Sequence, residues 1–287
     1  MDVLARLDAT VGECPLYHAA DDVLYAVDIP AGRLWRCPLT GSAEHIDIGE
    51  PLGCVAFVAD GGFLLGTRTG VATLGSWHAT PQPWLTLEPE LPTQCNDGRC
   101  DRAGRFVVGT ATIDQSATGA LYLVDHDGTV SQLVAGIGMS NGIDWTPDGA
   151  VAYYADSIAG TVTRYSWDAD AGRLGTGRVL VAIDPNDGVP DGLTVDDEGC
   201  VWLAVWGAGE VRRYDDDGRL LRTLPFPTAH VSSCSFGGAG GDRLFVTTAR
   251  VGIAPDDPGY AEAGAVFVAD PGVTGPLPTP FRRGGGP

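Results

Sequence analysis

Residues 140–157 read SNGIDWTPDGAVAYYADS, in which the turn TPDGA separates two short apolar segments. Pro and Gly in the turn end any helix, so both segments are predicted to be strands. The second segment is apolar around an aromatic residue, and this pattern recurs as VLYAVDI, GFLLGT, RFVVGT, VAYYADS, VWLAVW and RLFVTTA. The central aromatic residues are Tyr25, Phe63, Phe106, Tyr153, Trp202 and Phe245, separated by 38, 43, 47, 49 and 43 residues.

Most of these segments are followed by a second strand and turn, as in GALYLVDHDG and GEVRRYDDDG. Each repeat is therefore a meander of about four short strands. Six such units predict an all-β fold, a six-bladed β-propeller with four-stranded antiparallel blades. The N-terminal VLARLD is expected to supply the outer strand of the last blade and to close the ring. Two unrelated β-sandwiches would not explain the even spacing.

The boundaries that we expect are 1–274 for a single propeller domain and 275–287 for a flexible tail ending in PLPTPFRRGGGP. The composition agrees with short strands and tight turns, since the 287 residues include 41 Gly and 20 Pro and only 19% are charged. A net charge of −19 disfavours nucleic acid and anionic membranes as partners. The oligomeric state is left open by the sequence.

The beginning of the chain, MDVLARLDATVGECP, has neither a basic nor an apolar signal region, so we expect no signal peptide. No stretch approaches the roughly 18 apolar residues of a membrane span. The seven cysteines are scattered and never in CxxC spacing, which favours reduced thiols in a cytoplasm over disulfides or a zinc ribbon.

The first strand of each blade is expected to line the central channel. Counting back from each aromatic residue reaches equivalent places at Glu13, Cys54, Asn96, Asn141, Asp191 and, approximately, Ser233. Four of the six, Glu13, Asn96, Asn141 and Asp191, carry oxygen donors. Two carboxylates in a confined channel are costly unless a cation compensates them, and an all-oxygen set suits a hard divalent ion. Singly, Asn-Gly and Asp-Gly are common turn dipeptides, so the prediction rests on the whole set.

Residues 138–142, GMSNG, also fit the G-x-S-x-G pattern of a serine hydrolase. That motif needs a strand, a turn and then a helix, whereas Pro147 and Gly149 end any helix that follows Ser140. We therefore interpret the match as accidental and take Asn141 as the informative residue.

Five segments of the sequence resemble those of a known family. The segments GECPLYHAADDVLYAVDIPAGRLWR, NDGRCDRAGRFVVGT, SNGIDWTPDGAVAYYADS, VPDGLTVDDEGCVWLAVW and SSCSFGGAGGDRLFVTTAR together look like the gluconolactonase, regucalcin and luciferin-regenerating-enzyme family. The resemblance runs from about residue 8 to residue 270. It implies a six-bladed propeller with one divalent metal in the channel, hydrolysing sugar-acid lactones.

The resemblance implies Glu13, Asn141 and Asp191 as metal ligands and places Asn96 beside the metal, in contact with the substrate. In many members an Arg lies two residues before this Asn and binds substrate hydroxyls; here that place is Gln94. Asp114 falls where the family often has a substrate-binding acid. The ion expected is calcium in the first place, with zinc, iron(II), manganese and magnesium as alternatives.

The hypothesis is thus a metal-dependent lactonase. The ion would polarise the lactone carbonyl, and the attacking water would be either bound to the metal or held by Asp191 acting as general base. Two alternatives stay open. The same site could cleave phosphotriesters or other esters, which the change to Gln94 keeps in view, or the protein could be a non-enzymatic calcium-binding regulator or scaffold.

Overall fold

The structure is a computed structural model that describes residues 1–112 and 118–284. This part of the chain forms six four-stranded antiparallel sheets, with single 3-10 turns at Pro185–Asp187 and Tyr260–Glu262. The predicted fold class, a six-bladed β-propeller with four-stranded antiparallel blades, is confirmed. None of the helices in the described ranges has the length and apolar character that a membrane span requires.

The strands follow the chain from blade to blade, after an initial strand β1 (Asp2–Arg6). Blade 1 contains β2 (Gly12–His18), β3 (Val23–Asp28), β4 (Arg33–Pro38) and β5 (Glu44–Asp47), and blade 2 contains β6 (Leu52–Phe57), β7 (Phe63–Thr67), β8 (Gly70–Leu74) and β9 (Gln82–Thr86). Blade 3 contains β10 (Thr93–Cys100), β11 (Phe106–Thr112), β12 (Gly119–Val124) and β13 (Val130–Ile137), and blade 4 contains β14 (Ser140–Trp145), β15 (Val151–Asp156), β16 (Thr161–Asp168) and β17 (Arg173–Ala182). Blade 5 contains β18 (Val189–Val195), β19 (Val201–Trp206), β20 (Glu210–Tyr214) and β21 (Leu220–Pro225), and blade 6 contains β22 (Val231–Gly237), β23 (Arg243–Thr248) and β24 (Ala265–Ala269).

The ring closes through the N-terminal strand, as the sequence predicted. Strand β1 pairs antiparallel with β24, with Val3 opposite Phe267, and becomes the outer strand of blade 6. The innermost strands contact one another in order around the axis, and β22 of the last blade contacts β2 of the first. Closure leaves each blade packed between two others, so that its apolar residues are buried on both faces.

The repeated aromatic residues form the core between blades. Phe106, Trp202 and Phe245 have no exposed surface, and Tyr153 is 1% exposed. Each lies on the second strand of its blade, where the sheet is covered on both sides. This explains why these strands read as continuous apolar runs and do not alternate between apolar and polar residues.

The six inner strands share one irregularity at the same depth. Their register against the second strand shifts between Glu13 and Leu16, Leu52 and Cys54, Cys95 and Asp97, Ser140 and Ile143, Pro190 and Leu193, and Val231 and Ser233. A bulge bends its strand and changes the direction of nearby side chains. The places that the repeat predicted as channel positions therefore coincide with the bulges.

The C-terminal segment differs from the flexible tail that the sequence suggested. Phe281 has no exposed surface; its N–H donates to Phe57 O at 2.7 Å, and it forms a parallel bridge with Val58. Its ring lies edge-on to Trp84. Over residues 275–284 the prediction thus needs correction, because one buried aromatic residue anchors a Pro- and Gly-rich segment to blade 2. Residues 285–287 lie outside the described part.

Candidate metal centre and active site

The cavity of interest lies where the six inner strands begin. It has a volume of about 460 Å³. Its lining consists of Val11, Glu13, Ile29, Pro30, Gln94, Asn96, Ala111, Thr112, Met139, Asn141, Ser157, Ile158, Val189, Asp191 and Trp206. The structure thus brings together Glu13, Gln94, Asn96, Asn141 and Asp191 from four blades.

For three other residues that the sequence analysis named, the structure does not show a place in the cavity lining. Cys54 and Ser233 lie on inner strands as expected but do not line this cavity, and both are buried beside it. Asp114 lies outside the described residues, so its predicted substrate-binding role stays a prediction.

Glu13 is a buried carboxylate at the bulge of β2. It is 4% exposed, and its Oε2 accepts a hydrogen bond from the N–H of Cys14 at 2.8 Å. Cys14 has a φ of 49°, a left-handed conformation that is costly for a residue other than glycine. Burial, then the charges of Asp191 and Asp97, raise the pKa of Glu13 well above its ordinary value. The protein alone therefore does not compensate a negative charge here.

Asp191 is the second buried carboxylate, 6% exposed on β18. Burial, followed by the charge of Asp97, raises its pKa well above the ordinary value, and hydrogen bonds from Asn141 and the Gly192 N–H oppose that rise. Gly192 follows directly because a Cβ at this place would collide with the Ser233 side chain. The Gly of this Asp-Gly pair is thus required by the close packing of neighbouring inner strands.

Asn141 supplies an amide oxygen to the cavity from strand β14. Its Nδ2 donates to Ser157 Oγ at 3.0 Å, and Ser157 Oγ donates to Pro190 O at 2.7 Å. The Oδ1 of Asn141 is buried without a hydrogen-bond partner. A buried polar atom without a partner carries a desolvation cost and indicates that a further group belongs beside it.

Asn96 and Gln94 bring amide side chains into the cavity from β10. The Nδ2 of Asn96 donates to Ser140 O at 2.9 Å, which fixes the amide and leaves its oxygen end for the cavity. Gln94 is partly exposed and lines the same space. These two side chains can hydrogen-bond a ligand that lies above the carboxylates.

The donor set fits a hard divalent ion only if an amide oxygen is counted. Over 1–112 and 118–284 no group of three or more His, Cys, Asp or Glu side chains is arranged to hold a metal. Glu13 and Asp191 provide two carboxylates, and the unpartnered Oδ1 of Asn141 provides the third oxygen. A bound cation would neutralise the two buried negative charges and would give the Asn141 oxygen a partner.

Sequence reasoning missed the groups that support this site. Ser157, which orients Asn141, comes from the end of the neighbouring strand and carries no recognisable motif. Deeper in the channel, Arg99 Nη1 donates to Asp144 Oδ2 at 2.7 Å and to Thr194 Oγ1 at 2.9 Å. The NDG triplet could have pointed to Asp97, whose charge raises the pKa of both cavity carboxyl groups.

The cysteines near the cavity are buried thiols. All seven are buried and free of disulfides. Burial raises the pKa of Cys14 and of Cys95 to about 12, which disfavours the reactive thiolate.

Comparison with known proteins gives a consistent result. A family model described as the SMP-30/gluconolactonase/LRE-like region matches residues 11–250. A pentonolactonase of Haloferax volcanii is 36% identical over 275 residues, which is 92% of each chain. Regucalcin of Danio rerio is 33% identical over 249 residues, covering 85% of this chain and 84% of that protein.

Solved structures agree in fold over nearly the whole chain. A regucalcin from Agrobacterium tumefaciens, described as a calcium-binding protein, superposes with a TM-score of 0.91 at 27% identity, covering 98% of this chain and 96% of that one. A luciferin-regenerating enzyme superposes with a TM-score of 0.89 at 28% identity, covering 98% of both chains.

Proposed function

The chain belongs to the SMP-30/gluconolactonase/LRE-like family, and from this premise we propose that it is a divalent-metal-dependent hydrolase that opens sugar-acid lactones. One observation carries the proposal. Glu13, Asp191 and the unpartnered Oδ1 of Asn141 line one cavity on the propeller axis, which is the environment that a hard cation needs. The pentonolactonase relative supports a sugar lactone as the substrate.

Glu13, Asn141 and Asp191 would hold the ion, with calcium as the first choice. When bound, such an ion supplies Lewis-acid polarisation of a carbonyl oxygen and stabilises the negative charge that develops on it. The regucalcin from Agrobacterium tumefaciens is described as calcium-binding, which supports that choice.

The reaction itself needs one proton acceptor and one proton donor. Asp191 takes the proton of the attacking water as the new C–O bond forms at the lactone carbonyl carbon. The bond from that carbon to the ring oxygen then breaks, and the proton on Asp191 passes to the ring oxygen. The products are a hydroxyl group and a carboxylic acid, so that atoms and charge balance.

The two amides would position the substrate. Asn96, held by Ser140 O, and Gln94 can hydrogen-bond ring hydroxyls of the lactone. Holding the ring in one orientation places its carbonyl carbon toward Asp191 and lowers the entropy cost of the attack.

The proposal is tested by hydrolysis of a panel of pentono- and hexonolactones by the wild type, Glu13→Gln and Asp191→Asn. Both variants should lose about 10²- to 10⁴-fold in kcat/KM, because each removes a charge that the transition state requires. Glu90→Gln and Asp60→Asn, which change exposed residues, are the matched controls and should keep wild-type rates. Wild-type rates in Asp191→Asn would refute the scheme.

A parallel assay with an activated phosphotriester separates the main alternative. Turnover of the phosphotriester but of no lactone would assign the site to phosphoryl chemistry. Tight calcium binding without turnover of either substrate would favour a regulator.

A further inference from the structure

Trp206 lies at the rim of the cavity with one ring face already occupied. It ends β19 and stacks on His230, with ring centroids 4.2 Å apart and an interplanar angle of 12°. The two residues also pair through a backbone bridge. Trp206 lines the cavity as well, so that its side chain contacts both the His230 ring and the cavity.

His230 is itself fixed in place. Its Nδ1 lies 2.8 Å from Val251 O. A carbonyl oxygen only accepts, so Nδ1 carries the proton and donates it. Burial lowers the pKa of His230 from its ordinary value of 6.5, which favours the neutral ring. A neutral, hydrogen-bonded imidazole against the indole is a rigid support, and a rigid support limits the rotamers of Trp206.

The two amides and the aromatic side chain that line the cavity come from different blades. Gln94 and Asn96 come from blade 3, whereas Trp206 and Val189 come from blade 5. A cyclic sugar has the same division, since its hydroxyl groups project around the ring edge and its C–H bonds form apolar faces. An aromatic side chain on one wall and two amides on another therefore match a lactone ring that lies between them.

We propose that Trp206, held in position by His230, is the platform on which one C–H face of the lactone ring stacks, and that His230 is a positioning residue for substrate binding. The proposal rests on the lactonase function proposed above and adds two residues that determine affinity for the ring. A purely structural role for Trp206 in blade packing makes different predictions.

The test compares kcat and KM on a pentonolactone for the wild type, Trp206→Leu, Trp206→Phe, His230→Ala and His230→Phe. Trp206→Leu should raise KM by about tenfold with kcat nearly unchanged, because the stacking is the same in ground and transition states. Trp206→Phe, which keeps a smaller aromatic face, should give an intermediate KM. His230→Ala should raise KM several-fold, and His230→Phe should restore most of the wild-type value because it can stack again.

The matched control is a second tryptophan–histidine ring pair, which lies outside the cavity and has an interplanar angle of 49°. Trp35 and His45 lie on β4 and β5, with ring centroids 4.4 Å apart. His45→Ala removes a histidine from a tryptophan just as His230→Ala does, and it should leave KM unchanged. Thermal unfolding of each variant checks that the fold is kept.

A second readout does not depend on hydrolysis. The corresponding sugar-acid lactam has an amide in place of the ester and reports ring binding by calorimetry. Weaker lactam binding by Trp206→Leu, rescued in part by Trp206→Phe, supports the platform even if no lactone is hydrolysed, in which case only the lactonase proposal fails. The platform would be contradicted if Trp206→Leu left both lactone turnover and lactam affinity unchanged. It would also be contradicted if the wild type did not bind the lactam.

Discussion

The amide nitrogen of Asn141 donates to Ser157 Oγ at 3.0 Å, and this bond helps to hold the amide in place beside the cavity carboxylates. Because the nitrogen is engaged, the oxygen is the end that is left buried without a partner. Ser157 is held in turn by Pro190 O, next to Asp191 in the chain. The orientation of one proposed ligand is thus coupled to the strand that carries another.

Ser157→Ala should therefore weaken metal binding while leaving all three proposed ligands in place. Without the hydroxyl group, the Asn141 amide loses one of the hydrogen bonds that orient it and can turn its oxygen away from the ion. Removing a group that orients a ligand typically costs 10- to 100-fold in metal affinity, and we expect about tenfold here. Calorimetric titration with calcium measures the change, and Ser131→Ala, at an exposed residue, is the control. Equal affinity in Ser157→Ala and the wild type would contradict the role of this bond.

The free energy of unfolding of the metal-free protein should fall as the pH rises above the ordinary pKa values of carboxyl groups. Glu13 and Asp191 have pKa values raised by burial and then by neighbouring carboxylates, so the folded state binds their protons more tightly than the unfolded state does. Their stabilising contribution is complete below the unfolded pKa values and is lost as the pH passes the folded ones. Asp144 acts in the opposite direction and at lower pH, because Arg99 and Arg102 lower its pKa in spite of burial.

Urea unfolding of wild type and Asp191→Asn in chelator, over a pH series, measures this effect. The variant should lose less stability than the wild type above the ordinary carboxyl range, because its amide does not ionise. Identical pH dependence in the two proteins would show that Asp191 is not a strained buried carboxyl group.

Gln94→Arg should improve the use of polyhydroxylated lactones. An Arg fork offers several charged donors to ring hydroxyls where Gln offers one amide, and hydrogen bonds to charged groups are the stronger ones. We expect KM for a hexonolactone to fall by about tenfold, and Gln94→Ala to raise it. Steady-state kinetics on a hexonolactone and a less hydroxylated lactone give the ratio. A KM in Gln94→Arg that is unchanged on both would place this residue outside the substrate contacts.

Asp144→Ala should be strongly destabilising without touching the cavity. The Asp144 carboxylate is 2% exposed and pairs with Arg99 at 2.7 Å and Arg102 at 3.2 Å. Removing it takes the carboxylate partner from two partly buried guanidinium groups, which costs about 3–5 kcal/mol of unfolding free energy. Asp217→Ala is the matched control, since Asp217 pairs with Arg178 on the surface and should cost less than about 1 kcal/mol. Urea unfolding at neutral pH compares them, and equal losses would contradict the account of the channel network.

The sequence predicted the blade count and the channel positions because both follow from a repeat. Ring closure holds equivalent residues at one depth, so counting back from Tyr25 or Trp202 reaches Glu13 or Asp191 on the inner strands. The Gly after Asp191 has a structural reason, because only a residue without a Cβ fits beside Ser233.

Other features depend on contacts that no local pattern encodes. His230 meets Trp206 through packing between blades 5 and 6, and Ser157 meets Asn141 across the top of blade 4. Phe281 was misread because Pro and Gly around it are typical of flexible segments, whereas its burial depends on a groove beside Phe57 and Trp84. Such contacts are determined by tertiary structure alone.

The most direct test of the central claim is lactone hydrolysis by chelator-stripped protein, with calcium, magnesium, manganese, iron(II) and zinc added back one at a time. We predict that stripping abolishes turnover, that at least one ion restores it, and that no ion restores it in Asp191→Asn. Full activity of the stripped protein, or equal restoration in Asp191→Asn, would contradict a metal-dependent lactonase centred on Glu13, Asn141 and Asp191.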